Sequence, residues 1–181
     1  MEKLSILKEQ LQSERPVPWD NLPDIDLYMD QLINYMPRQQ LISNHDNQLT
    51  SAMVNNYIKA NLLERANGKK YSRTHLAELS VICFLKQIVS VKDAALVFNE
   101  FSKEDTRKNY EKYLEDLDKA LTAVSQQIPD SMEDQQIAEM VIHLAVVSYA
   151  NKLTCLRLID ILQEKEDKKK PIRKSKGELF K

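Results

Sequence analysis

Apolar residues recur every three or four positions along most of this chain, the interval that gathers them on one face of an α-helix. The pattern predicts helices over residues 1–13, 24–36, 50–60, 72–88, 91–101, 103–128 and 132–165. Between the third and fourth of these helices, residues 64–71 break the pattern. The sequence therefore predicts a mainly α protein with one small two-stranded element.

Residues that cap helices mark where several of these segments begin and end. Thr50 can accept a hydrogen bond from a free backbone N–H of the helix it precedes, and Ser72 can do the same for the next helix. Asn61 stands where the third helix ends and tolerates a left-handed backbone. Three S-x-x-D sequences predict capping boxes for the last three helices. They are Ser90 to Asp93, Ser102 to Asp105 and Ser131 to Asp134.

The break over residues 64–71 is typical of a tight hairpin. Asn67-Gly68 is a strong signal for a two-residue β-turn. We expect short strands on its two sides, at residues 64–65 and 69–71. Residues 50–75 hold five Lys and Arg and one Glu, whereas the whole chain has a net charge of -1. The hairpin therefore places positive charge beside a helix.

A helix followed by a basic hairpin has the residue types that bind duplex DNA. Asn side chains can bind adenine edges, and Lys can bind guanine or phosphate. Lysines at a hairpin tip suit the phosphate backbone. The predicted DNA-binding residues are Ser51, Asn55, Asn56, Lys59, Arg65, Lys69, Lys70 and Arg73. The alternative is a protein-interaction module in which these lysines are only solvated.

The sequences V-N-N-Y-I-K-A-N-L-L, G-K-K-Y-S and H-L-x-x-L-x-x-I resemble the DNA-binding half of MerR-type transcriptional regulators. The matching residues are Tyr57, Leu62, Leu63, Lys69, Tyr71, Leu76, Leu79 and Ile82. Asn55 stands where that family has Arg, and Asn61 stands where it has Gly. The chain up to about residue 100 is also similar to a YkrK-like bacterial family of unknown function. The resemblance implies a winged helix-turn-helix that binds double-stranded DNA and is followed by a long-helix C-terminal extension.

Composition limits the other functions that the chain could have. With two glycines, the sequence contains no phosphate-binding glycine loop and no dinucleotide-binding motif. Cys83 and Cys155 have no neighbours at metal-ligand spacing, and we expect both to be free, buried thiols in a reducing cytoplasm. We identify no catalytic constellation, cofactor site, signal peptide or membrane span, and we expect a cytoplasmic protein that is not an enzyme. An effector ligand cannot be named from the sequence.

Four regions follow from these patterns: an N-terminal arm over 1–23, the winged-helix domain over 24–101, a helical hairpin or dimerisation region over 102–165, and a basic disordered tail over 166–181. Prolines exclude regular helix from much of the arm, and we expect Trp19 to pack on the domain rather than bind a partner. The tail could add nonspecific affinity for phosphates or only aid solubility.

The two longest helices carry the surfaces from which a homodimer is predicted. Helix 103–128 has a heptad seam from Tyr110 to Ile128, suited either to an antiparallel hairpin or to a second copy of the chain. Residues 137–150 are apolar on almost every side and must be covered all round, either within the chain or in a dimer. His143, four residues after Glu139, is expected to be a hydrogen-bonded core histidine rather than a metal ligand.

Overall fold

The computed structural model describes residues 2–41, 48–102 and 105–169, which form seven α-helices and one short sheet. The α-helices are α1 Glu2–Ser13, α2 Met29–Tyr35, α3 Ser51–Lys59, α4 Arg73–Leu85, α5 Val91–Phe101, α6 Thr106–Gln127 and α7 Asp134–Lys169, and the strands are β1 Leu27–Tyr28 and β2 Lys70–Tyr71. The predicted mainly α class is confirmed. Within these ranges, no helix combines the length and the hydropathy that crossing a membrane requires.

Helix α4 is the centre of the core. Five of its apolar side chains, from Leu76 to Ile82, are less than 8% exposed, so the helix is covered on more than one side. Val54 and Tyr57 of α3 and Phe98 of α5 belong to the same buried cluster. A helix that is apolar around most of its circumference needs such surrounding neighbours. Helix α4 therefore shares its core with α3, which packs on α2, and it contacts β2 directly.

The sheet joins parts of the chain that lie far apart in sequence. Leu27 pairs with Tyr71 and Tyr28 pairs with Lys70, in antiparallel register. The prediction of a helix over 24–36 is wrong at its start, because this pairing holds residues 27 and 28 extended and α2 begins only at Met29. The predicted strand at 64–65 is also wrong, since that segment contains no strand and β1 takes its place as the partner of β2.

The capping signals differ in how well they locate the last three helices. Ser90 Oγ accepts from the Asp93 N–H at 3.1 Å, and α5 spans Val91–Phe101 as predicted. Ser102 instead lies at the C-terminal end of α5, and Asp105 is the residue that caps α6 by accepting from Lys108 N–H at 3.0 Å. Helix α7 begins at Asp134, two residues later than predicted, so Ser131 does not cap it.

The N-terminal arm is bound along α6. Lys8 pairs with Asp130, Gln12 Nε2 donates to Ser125 Oγ, and Arg15 pairs with Asp118. Residues further along α1 contact residues that come earlier in the chain on and after α6, so the two helices are antiparallel. The heptad seam of α6 therefore packs within the chain, against α1 and the core, and its residues are buried or partly buried there.

The proline-rich segment after α1 also packs on the domain, which confirms the prediction for Trp19. Its ring lies 6.4 Å from the Tyr110 ring, centroid to centroid, and is partly buried. The Tyr110 hydroxyl donates to the Val17 carbonyl at 2.7 Å and lies 3.3 Å from Gln39 Oε1. Because Gln39 Oε1 also accepts from Val17 N–H, a buried polar cluster holds this segment against α6.

Of the two ways in which α7 was expected to be covered, packing within the chain is contradicted for its N-terminal half. Its C-terminal half packs on α5 and buries Ile159, but the N-terminal half leaves most of its apolar side chains exposed. His143 is exposed too, so its prediction as a core histidine is wrong. Cys83 is buried as predicted, but Cys155 on α7 is exposed, so its predicted burial is wrong. In the described ranges, His, Cys, Asp and Glu form no group of three that could hold a metal ion. Residues 170–181, most of the predicted basic tail, lie outside the described residues.

Candidate nucleic-acid interface

The exposed side of α3 presents the polar residues selected from the sequence. Ser51, Asn55, Asn56 and Lys59 are all exposed, whereas Val54 and Tyr57 of the same helix are buried in the core. Ser51, Asn55 and Lys59 are spaced by four residues and lie along one edge of the helix. The apolar stripe is thus used for packing, and the amide and ammonium groups face outward.

Both ends of α3 are fixed by local hydrogen bonds. Thr50 Oγ1 accepts from Met53 N–H at 3.2 Å, which confirms the predicted cap. At the other end Asn61 has φ of 54°, and the N–H groups of Asn61 and Leu62 donate to Ile58 and Tyr57 carbonyls. These two bonds form a Schellman motif. The chain leaves the helix sharply, and Leu62 and Leu63 enter the core.

A two-residue turn follows, and it displays a lysine at its tip. Asn67 and Lys70 exchange both backbone hydrogen bonds, at 2.9 and 3.1 Å. The central residues, Gly68 and Lys69, have φ of 55° and 68°, the positive pair that a type I′ turn requires. The turn is thus one residue later than the Asn67-Gly68 centre predicted from sequence. Lys69 occupies a backbone conformation that costs an L-residue about 1–2 kcal/mol.

The other three basic residues differ in how free they are. Lys70 Nζ lies 5.1 Å from the centroid of the Tyr28 ring, a cation–π contact across the β1–β2 pair. Arg73 Nε donates to the Pro23 carbonyl at 3.3 Å, so part of its guanidinium is used to hold the chain before β1. Arg65 is exposed and lines an open cleft beside α3. Of the three, Arg65 is the exposed residue, whereas Lys70 and Arg73 are partly buried.

The charge on this face is mixed rather than purely positive. Within the described part of the chain, the observed ion pairs involve none of Lys59, Arg65, Lys69, Lys70 and Arg73. Glu64 is exposed beside Arg65, and Asp24 and Asp26 are exposed just before β1. These carboxylates reduce the positive potential on the β1 side of the turn, but they leave the turn tip itself unpaired.

A buried histidine lies under the turn. His75 Nδ1 accepts from Ser72 N–H at 3.1 Å, and its ring contacts Tyr71 edge-on at 5.5 Å between centroids. Burial lowers the pKa of His75, although the Arg65 backbone and the carboxylates of Glu64 and Asp26 act in the opposite direction. The imidazole is therefore mostly neutral near pH 7. It caps α4 and adds no positive charge to the candidate interface.

The cleft beside α3 contains a titratable group that the sequence analysis missed. It has a volume of about 620 Å³, and its walls include Asn61, Arg65, Glu78 and Thr106. Burial, with a contribution from the neighbouring Glu64 carboxylate, raises the pKa of Glu78 to about 7. The signal available in the sequence was a single acid between the apolar residues Ala77 and Leu79.

Comparison with family models gives one match. Residues 17–121 match the model described as Domain of unknown function (DUF1836). The chain belongs to this family. The matched range includes α3, the turn and the cleft, and it ends within α6. No curated protein and no solved structure was found to match the chain. The match thus places this DUF1836 protein in a family whose description names no function.

Proposed function

We propose that this DUF1836 protein is a DNA-binding transcriptional regulator with a winged-helix domain, in which α3 is the recognition helix and the turn at 67–70 is the wing. The observation that supports the proposal most directly is Lys69. Its side chain is exposed at the turn tip, unpaired with any carboxylate of the described chain, in a conformation that Gly or Asn would adopt at lower cost. An exposed, unpaired ammonium group at the tip of a turn is suited to contact with a phosphate.

The candidate residues take two roles in this proposal. Asn55, Asn56 and Lys59 lie on the exposed side of α3, and they would contact base edges in the major groove. The exposed hydroxyl of Ser51 at the start of α3, with Lys69, Lys70, Arg65 and Arg73, would contact backbone phosphates. Because Lys70 and Arg73 also have partners within the chain, Lys69 should contribute most of the wing's effect.

The test is binding of the full chain to double-stranded DNA, first by selection from a random library and then by fluorescence anisotropy in a salt series. Each phosphate contact contributes about 0.9 to the slope of log affinity against log salt concentration. Lys69→Asn combined with Lys70→Gln should therefore lower the slope by about 1–2. Asn is used at position 69 because it tolerates positive φ, so the turn is kept.

Two controls separate specific effects from loss of charge or fold. Lys3→Gln with Lys112→Gln removes two exposed cations from α1 and α6, away from the turn, and should leave the slope unchanged. Asn55→Ala should change the preferred base at one site position more than it changes the slope. If the wild type binds no duplex at 50 mM salt, or if the wing variant keeps the full slope, the proposal is wrong.

A second function, protein contact without DNA, is favoured by the acidic residues near the wing. Asp24, Asp26 and Asp30 are exposed on the segment that carries β1, directly beside the wing strand. Such a mixed surface would repel phosphates on one side. Charge-neutral variants of these three residues would strengthen DNA binding if the first proposal holds, and would create no DNA binding if the second one does.

A further inference from the structure

The exposed face of α7 has the pattern of an interface. Ile142, Val146, Tyr149 and Leu153 follow each other at steps of four, three and four, which places them on one stripe. Their exposed fractions range from 42% to 69%. We call these four residues the α7 seam. The spacing is that of a heptad seam, in which side chains of one helix insert between those of a partner helix.

Apolar side chains are exposed around most of the circumference of α7. Besides the seam, Ile137, Val141, Val147, Leu158 and Ile161 are also more than a third exposed, but at about 100° per residue they lie outside the stripe of the seam. Taking about 150–200 Å² for a large side chain, the exposed parts of the four seam residues sum to roughly 360–480 Å². The largest apolar patch on a typical monomer is about 300–600 Å² and is often functional, so the seam has the size of an interaction site.

The charges along α7 indicate what covers this surface. Glu133, Asp134 and Glu139 precede the seam, and Lys152 and Arg157 lie at and beyond its end. Residues 140–151 between them contain no Asp, Glu, Lys or Arg. A second α7 running antiparallel would place its uncharged stretch against this one, and its basic end beside the acidic end. A parallel copy would instead place like charges side by side.

We propose that two copies of this chain associate through their α7 seams, with the helices antiparallel and the two-fold axis between residues 147 and 148. Val146 then packs on Tyr149 of the second copy, and Ile142 packs on its Leu153. The seam of α6 is unavailable for this role, since it packs within the chain, against α1 and the core. Helix α7 lies outside residues 17–121, so the interface is separate from the DUF1836 match.

The proposal does not depend on DNA binding, and the two can fail separately. Analytical ultracentrifugation of the full chain without DNA should show a dimer at about 10 µM, with dissociation on dilution. Ile142→Asp places a charge in the seam of both copies, and we expect the dimer dissociation constant to rise at least about 100-fold. Ile25→Asp is the matched control, because Ile25 and Ile142 are both 66% exposed. Ile25→Asp should leave the dimer intact.

The relative orientation of the two α7 helices is tested by measuring the distance between spin labels on the two copies. The labelled variant leaves the α7 seam unchanged. In a Cys155→Ser background, where Cys83 is buried, Ala138→Cys gives one exposed labelling site near the start of α7. In the antiparallel dimer the two labels are 19 residues apart along the helices, about 29 Å at 1.5 Å per residue. Distances below about 20 Å would mean a parallel pair. A monomer at every concentration, a larger assembly, or dimers equally stable after Ile142→Asp would also overturn the proposal.

Discussion

Replacing Glu78 by Gln removes a carboxylate whose negative charge is disfavoured by its surroundings in the folded protein. Its neighbours on α4, Ala77 and Leu79, are completely buried, and Thr106 Oγ1 donates to Glu78 Oε1 over a long 3.4 Å. The Glu64 carboxylate nearby also disfavours a second negative charge. Burial is the larger of the two effects that raise the pKa of Glu78 from 4.5 to about 7.

The size and sign of the effect follow from proton binding. Between pH 4.5 and about 7 the folded protein holds the Glu78 proton more tightly than the unfolded chain, so stability falls as pH rises. The full difference, at 1.36 kcal/mol per pH unit, is about 3 kcal/mol above pH 7. Because the side chain remains partly solvated, screening reduces this to about 1–2 kcal/mol. Below pH 4.5 the penalty is absent.

The assay is urea unfolding of wild type and Glu78→Gln at pH 4.5, 6 and 8, followed by circular dichroism. We expect the variant to be more stable by about 1–2 kcal/mol at pH 8, less so at pH 6, and about equal at pH 4.5. Glu9→Gln, on the exposed face of α1, controls for loss of one negative charge. A stability difference between Glu78→Gln and wild type that stays constant with pH would refute the reasoning.

Two further predictions concern the packing of the arm and the end of α3. Tyr110→Phe removes the hydroxyl that donates to the Val17 carbonyl. In urea unfolding, it should lower the free energy of unfolding by about 1–3 kcal/mol without changing the m-value. An unchanged unfolding midpoint would mean that water replaces this hydrogen bond in the variant. Asn61→Ala should lower stability by about 1 kcal/mol because φ is 54°, while Asn61→Gly should be neutral or stabilising, as measured by thermal unfolding. Equal effects of Ala and Gly would contradict the strain argument.

The sequence by itself determined the elements that depend on neighbouring residues. Thr50, Asn61 and Ser90 act through hydrogen bonds or backbone conformations within a few positions of themselves, and the structure has each in its predicted role. The buried and exposed positions of α3 were likewise predictable from the sequence, because the period of a helix determines which residues share a face. For this reason Asn55 and Lys59 were found to be exposed as expected.

Tertiary structure decided what each surface meets. The partner of β2 is β1, about 40 residues away, and no local pattern distinguishes that pairing from a hairpin with residues 64–65. Periodicity showed that α6 and α7 each have an apolar face, but only the fold shows that the first packs against α1 and the core while the second stays exposed. Likewise Glu78 is an ordinary acid in sequence, and its raised pKa comes from the residues packed around it. Local interactions are set by sequence distance, whereas burial and electrostatic environment depend on residues from the whole chain.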